Sequence, residues 1–168
     1  MFRDYDDLKQ LLAMGMNGCP WPEKRQACAE AYRELCQRGH VLGSTVSITV
    51  RAGEDQAYAV QNHLADTTIL SAVYVQDAAG RDLPRRVWTI RQSPGRIHVL
   101  LMAAPVQPGD VVSIRLVHVP TLSRADDRPD MDVLTDYAEA IVCGARSRLL
   151  LMDGEPWANP ALGVYERR

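Results

Sequence analysis

Between residues 44 and 120 the chain alternates polar and apolar positions. In STVSITVRAG, Val46, Ile48 and Val50 stand between polar neighbours, the two-residue period of a half-buried strand. TILSAVYVQD is a second such run, closed by the turn-rich AAGRDLP. RRVWTIRQ and RIHVLLMA flank SPG and read as a hairpin, and VQPGD leads into a last strand, VVSIRLVHVP. On either side the period changes. In the N-terminal part, Ala27, Cys28, Ala31, Tyr32, Leu35 and Cys36 recur at helical spacing, with Pro22 and Glu23 in the first turn and Gly39 placed to cap the end. A shorter helix is expected in YDDLKQLLAMGM. From Met131, the residues Leu134, Tyr137, Ala138, Ile141, Val142, Ala145, Leu149 and Met152 hold the 3.6 period over about five turns. Asp130 or Asp132 is placed to cap that helix.

These elements define an α+β protein. An antiparallel β-sandwich or barrel-like meander is inserted between an N-terminal helical segment and C-terminal helices, and the helices pack together. The expected divisions are a helical segment over 1–42, a β domain over 43–122, and a long helix with a short docking helix over 123–168.

The short helix follows from the ending DGEPWANPALGVYERR. Asp153-Gly154 is a natural helix stop, and Pro156 prevents immediate resumption. Trp157 offers an apolar anchor for the turn, and Asn159-Pro160 restarts a helix as N-cap and first residue. Two turns of helix are marginal in water, so this one is expected to pack on its own domain or to be ordered by a partner.

Composition narrows the function. The chain has 168 residues, 46% apolar and 24% charged, enough for a real core. Its net charge of −2 argues against wrapping nucleic acid, which needs a basic face. Arg far outnumbers Lys, present only as Lys9 and Lys24, and guanidinium suits planar ion pairs at interfaces. The start, MFRDYDDLKQ, is acidic and has no long apolar run, so neither a signal peptide nor a membrane span is expected.

Catalytic chemistry is not expected either. The chain has no G-x-S-x-G, Walker, G-x-G-x-x-G or H-E-x-x-H motif. Cys19, Cys28, Cys36 and Cys143 lack metal-ligand spacing and read as thiols, the helical pair as small buried hydrophobes. His40, His63, His98 and His118 are scattered, although His98 and His118 are expected on neighbouring strands. Asp126, Asp127, Asp130 and Asp132 lack the EF-hand pattern. Hence no catalytic residue, metal or cofactor is assigned.

The ordered segments resemble one family. ACAEAYRELCQRGHVL is similar to its early "A…A…EFC.R" helix, and ITVRAGEDQAYAV to "v.aG...Y.lp". ILSAVYVQDAAGRDL and HVLLMAAPVQPGDVVSIRLVHVPTLS follow in the same order. The end, YAEAIVCGARSRLLLMDGEPWANPALGVYERR, is similar to "y..ai..GA.arLl.m...pW.np..a..y". Over nearly its whole length the chain resembles the head-to-tail adaptors (connector or tail tubular A-like proteins) of tailed bacteriophages. Relatives usually continue with another turn or more of helix.

The resemblance implies a structural virion protein of the neck, assembled in the host cytoplasm. It would form a homo-oligomeric ring, commonly of twelve copies, below the portal protein. There it would extend the channel for double-stranded DNA and dock a downstream tail or nozzle protein. A weakly acidic ring would let DNA slide. Trp157, Tyr165, Arg167 and Arg168 are the candidates for portal docking, and Arg81, Arg85 and Arg86 for contacts between subunits. The alternatives are a tail terminator or completion protein, a monomeric β-sandwich binding module presenting Trp88 and Tyr74, and, more remotely, a small hydrolase.

Overall fold

A computed structural model describes residues 2–13, 16–51, 57–93, 96–101, 106–121 and 129–166. The expected Pro94-Gly95 turn, Asp126, Asp127, Arg167 and Arg168 lie outside them. The chain divides into two compact units, Leu42–Val119, and Met1–Val41 with Pro120–Arg168.

The first unit carries strands β1 (Gly43–Thr49), β2 (Ala57–Val60), β3 (Thr67–Gln76), β4 (Trp88–Ser93), β5 (Arg96–Leu101) and β6 (Val111–Pro120). They form two three-stranded sheets, ordered β1-β6-β3 and β2-β5-β4. The α+β class and the sandwich-like antiparallel organisation are those the sequence pattern requires, and the sheets are open instead of closing into a barrel. Sequential strands pair at the β4–β5 hairpin, with Ile90 opposite Val99. Elsewhere the chain crosses between sheets: β1 pairs with β6, setting Val46 opposite Ile114 and Ile48 opposite Val112.

That register turns the apolar faces of both strands the same way. Val112, Ile114 and Leu116 are fully buried with Val60, Val75, Trp88 and Val99, and Val46 and Ile48 cover them. Each such aliphatic side chain contributes about 1.5–3 kcal/mol on burial. In β3 the core positions Ile69, Ala72 and Val75 stand three apart, so strict alternation is lost there. Carbonyls of β3 accept from outside the ladder: Leu70 from Gln92 Nε2 at 2.8 Å, Ala72 from Arg85 Nη2 at 3.0 Å, and Val75 from the Leu83 amide at 2.7 Å.

The second unit begins with a 3₁₀ turn (Tyr5–Leu8) running into α1 (Lys9–Ala13). Asp4 caps the turn by accepting from the amides of Asp6 and Asp7. Helix α2 (Trp21–Gly39) buries Ala27, Cys28, Ala31, Tyr32 and Cys36, the stripe its period marks, and Ala29 beside it. Gly39 is its last helical residue and not the left-handed cap. His40 takes the left-handed conformation (φ 54°), which His adopts more readily than most residues. Gly39 serves packing instead: a Cβ there would lie 3.3 Å from Val41 Cγ1 and 3.4 Å from Leu35 Cδ1.

The long C-terminal helix is interrupted. Helix α3 (Met131–Asp136) gives way to α4 (Ala138–Leu150) at Tyr137, whose φ of −119° and ψ of 21° are not helical. The Tyr137 amide still donates to Val133 O, and its carbonyl accepts from Ile141, both at 3.0 Å. The interruption is a single residue with the hydrogen bonds kept on both sides, and Leu134, Ile141, Ala145 and Leu149 remain buried. Met131, Tyr137 and Met152, which the periodic pattern placed in the stripe, are exposed. Helix α4 ends at Leu150, four residues short of Gly154, whose positive φ (82°) belongs to the following turn.

Of the two possible caps, Asp130 is used. Its carboxylate accepts from the amides of Asp132 and Val133, both at 3.1 Å. Asp130→Ala is expected to cost about 1 kcal/mol of stability. Asp132→Ala, which removes only a charge near the helix start, should cost about 0.3 kcal/mol. Urea unfolding of the two variants checks the order.

Candidate docking surface on the C-terminal helix

Helix α5 (Pro160–Glu166) is held on the end of α4 by polar groups and a glycine. The Asn159 amide donates to Leu150 O at 2.8 Å, and Asn159 Oδ1 caps α5 by accepting from the Leu162 amide at 3.2 Å. Buried Ser147 donates its hydroxyl to Gly163 O at 2.8 Å, satisfying one of the last carbonyls of a short helix. Gly163 sits where nothing larger fits, since a Cβ would stand 2.9 Å from Leu151 Cγ and 3.1 Å from Leu150 Cβ.

The consequence is an inverted helix. A surface helix normally turns its large apolar side chains inward. Here the inward position is glycine, and Leu162, Val164 and Tyr165 are 37%, 51% and 75% exposed. Trp157 is half-buried, and its indole N–H is shielded from solvent with no hydrogen-bond partner among the described residues. Of the four expected docking residues, Tyr165 therefore lies on the exposed face and Trp157 is partly inside. Leu162 and Val164 were not singled out from the sequence. The glycine within so short a helix was the available signal for them, because it marks the packed side.

Beside this end, α2 and α4 bound an open groove of about 500 Å³ lined by Leu35, Arg38, Cys143 and Arg148 among others. Arg148 pairs with Glu34, lies 3.8 Å from a Glu30 carboxylate oxygen, and donates to Gly144 O at 2.9 Å. Its charge is thus satisfied within the unit.

The arginines expected between subunits sit in the β unit. Arg81 clamps its own turn, with Nη2 2.7 Å and Nε 2.8 Å from Asp77 Oδ2. The Arg81 amide and then its side chain hold the Asp77 carboxyl below its ordinary value. Arg85 reaches the Ala72 and Val73 carbonyls and stacks 3.8 Å above the Trp88 ring. Arg86 is exposed.

The remaining chemistry is quiet. Burial pushes the thiols of Cys28 and Cys36 up to about 12 and raises the phenols of Tyr5 and Tyr32, the opposite of nucleophile activation. His98 lies on β5 and His118 on β6, in different sheets, so they are not the neighbours the sequence suggested. Trp88 is only 2% exposed and donates its indole N–H to Leu83 O, so it is a core residue and not a platform for a ligand. Among the described residues, no group of three or more His, Cys, Asp or Glu is arranged to hold a metal. No described helix is long and apolar enough to cross a membrane.

The fold and site define an α+β protein with a two-sheet β unit, a helical unit, and an apolar face on a short terminal helix. No protein-family model and no curated protein matches the chain.

The seat of α5 is sensitive to single atoms. Ser147→Ala leaves the Gly163 carbonyl without its buried donor and is expected to cost about 1–3 kcal/mol of α5 docking. Gly163→Ala should displace the helix as well. Amide exchange at residues 160–166 reads both, and faster exchange there with α2 unchanged is the expected outcome.

Proposed function

We propose that this chain is a head-to-tail adaptor of a tailed bacteriophage, and that the outer face of α5 docks on the portal protein. The observation that carries the reading is the inverted helix, whose large side chains Leu162, Val164 and Tyr165 face solvent while glycine faces the protein. Aromatic residues on such a face are frequent anchors of protein interfaces. The similarity of the whole chain to adaptor motifs, strongest from residue 137 to the end, supplies the identity of the partner.

In this reading the protein assembles as a ring of commonly twelve copies beneath the portal and receives the tail protein on its distal side. The near-neutral charge supports a lining that DNA passes without being held. The ring is part of the virion and has a structural role without catalysis. The buried Trp88 weighs against a β-sandwich binding module that presents aromatics to a ligand.

Native mass spectrometry of the protein, alone and mixed with its cognate portal, tests the proposal. The expected result is joining to the portal in many copies. Tyr165→Ala should weaken that joining about tenfold or more, and deletion of residues 157–168 should abolish it. Because Tyr165 is exposed, its replacement should change stability by less than about 0.5 kcal/mol. Binding to the tail tube without binding to the portal would favour a tail terminator or completion protein. Indifference to both would sink the adaptor reading.

A further inference from the structure

His118 is fully buried near the end of β6, and it bonds across to both flanking strands. Its Nε2 lies 2.7 Å from Ser44 Oγ on β1, and its Nδ1 lies 3.2 Å from Thr67 Oγ1 on β3. The Thr67 hydroxyl donates to Leu64 O at 2.9 Å and accepts from Asn62 Nδ2 at 3.2 Å. With its proton committed there, Thr67 meets the ring as an acceptor. This assigns the imidazole proton to Nδ1 and leaves Nε2 to accept from Ser44. A neutral ring satisfies every partner.

A protonated ring does not. Nε2 would become a donor, and the Ser44 hydroxyl would have to turn and lose its acceptor. The new charge would be buried, and the charged groups acting on the site, Arg115 on β6 itself and His63 in the β2–β3 connection, both oppose it. The acid next to the clasp in sequence, Asp66, is exposed and precedes Thr67 with a left-handed backbone (φ 52°). Burial first, then Arg115 and His63, lowers the pKa of His118.

The location adds a consequence. The chain passes between units between Val41 and Leu42 and again between Val119 and Pro120. The His118 amide donates to Leu42 O at 2.9 Å, so within the β unit it ties the unit's first residue to its last strand.

We propose that His118 is a proton-operated clasp: neutral, it locks the ends of β1, β3 and β6 together beside the two chain crossings, and protonated, it releases them. The unfolded imidazole titrates near 6.5, and the folded one below that. The stabilisation is therefore complete above that value and is lost as pH falls from there toward the lower folded pKa.

Hydrogen exchange of the full-length protein at about pH 7.5 and about pH 5, corrected for intrinsic rates, tests the clasp together with an NMR titration of the His118 ring. Protection at residues 43–46, 67–69 and 116–118 should fall about tenfold at the lower pH while α4 and the β4–β5 hairpin hold. The fall should track the titration of His118. Ser44→Ala removes the bond that favours the neutral ring, so it should move the transition to higher pH. His118→Gln should abolish the pH dependence. Unchanged protection in the wild-type protein would overturn the proposal, as would the same fall in His118→Gln or a ring that protonates without any loosening. The wild-type titration and Ser44→Ala decide the matter even where His118→Gln fails to fold.

Discussion

The helical unit depends on how closely α2 and α4 approach at Ala31 and Gly144. A Cβ on Gly144 would stand 3.1 Å from the Ala31 methyl and 3.3 Å from Arg148 Nη1. Interiors this dense transmit even a one-carbon change. Because both residues are small, the helices can meet where α2 offers Ala27, Cys28, Ala31 and Cys36 against the larger Ile141, Val142 and Leu149 of α4. The same approach brings Arg148 to Glu34. It also leaves another side of α4, marked by Ser147 and Leu150, to carry α5.

Helix α5 is seated on α4 through a glycine and two hydrogen bonds, Asn159 to Leu150 and Ser147 to Gly163. Its stability is borrowed from α4, and Val164 and Tyr165 leave half or more of their surface outside that seat. A sequence that wanted α5 only for its own core would put Leu162 or Val164 where Gly163 stands. The arrangement leaves the outer face of α5 open to solvent.

Much of the architecture could be read from residue order. The α2 stripe, the alternation through Val46, Ile48 and Val50, and the Asn159-Pro160 restart are local signals, and each formed the element it announced. What could not be read was non-local. Nothing near Gly43 says that its strand pairs with β6, more than sixty residues away. Arg85 looked like a surface cation because the carbonyls it reaches are twelve and thirteen residues earlier. The interruption at Tyr137 was hidden for another reason: the hydrogen bonds continue on both sides of it, so the apolar period runs on through Ile141, Ala145 and Leu149. The α5 face was half legible, since Tyr165 was visible as a candidate whereas the direction of the helix depended on Ser147 and Leu151.

The pairing of β1 with β6 also sets an order of events during synthesis. The β unit cannot close until the chain has been made as far as residue 117, and the helical unit must then wait for α4. Until that moment α2, with its stripe of Ala, Cys and Tyr, has only the N-terminal turn against it, through Tyr5 on Tyr32. Contacts so distant in sequence slow folding and prolong the exposure of apolar surface. The last helix is then the final piece to settle, on a surface that does not exist before it. A nascent chain of this protein therefore spends most of its synthesis unable to display the face that α5 presents.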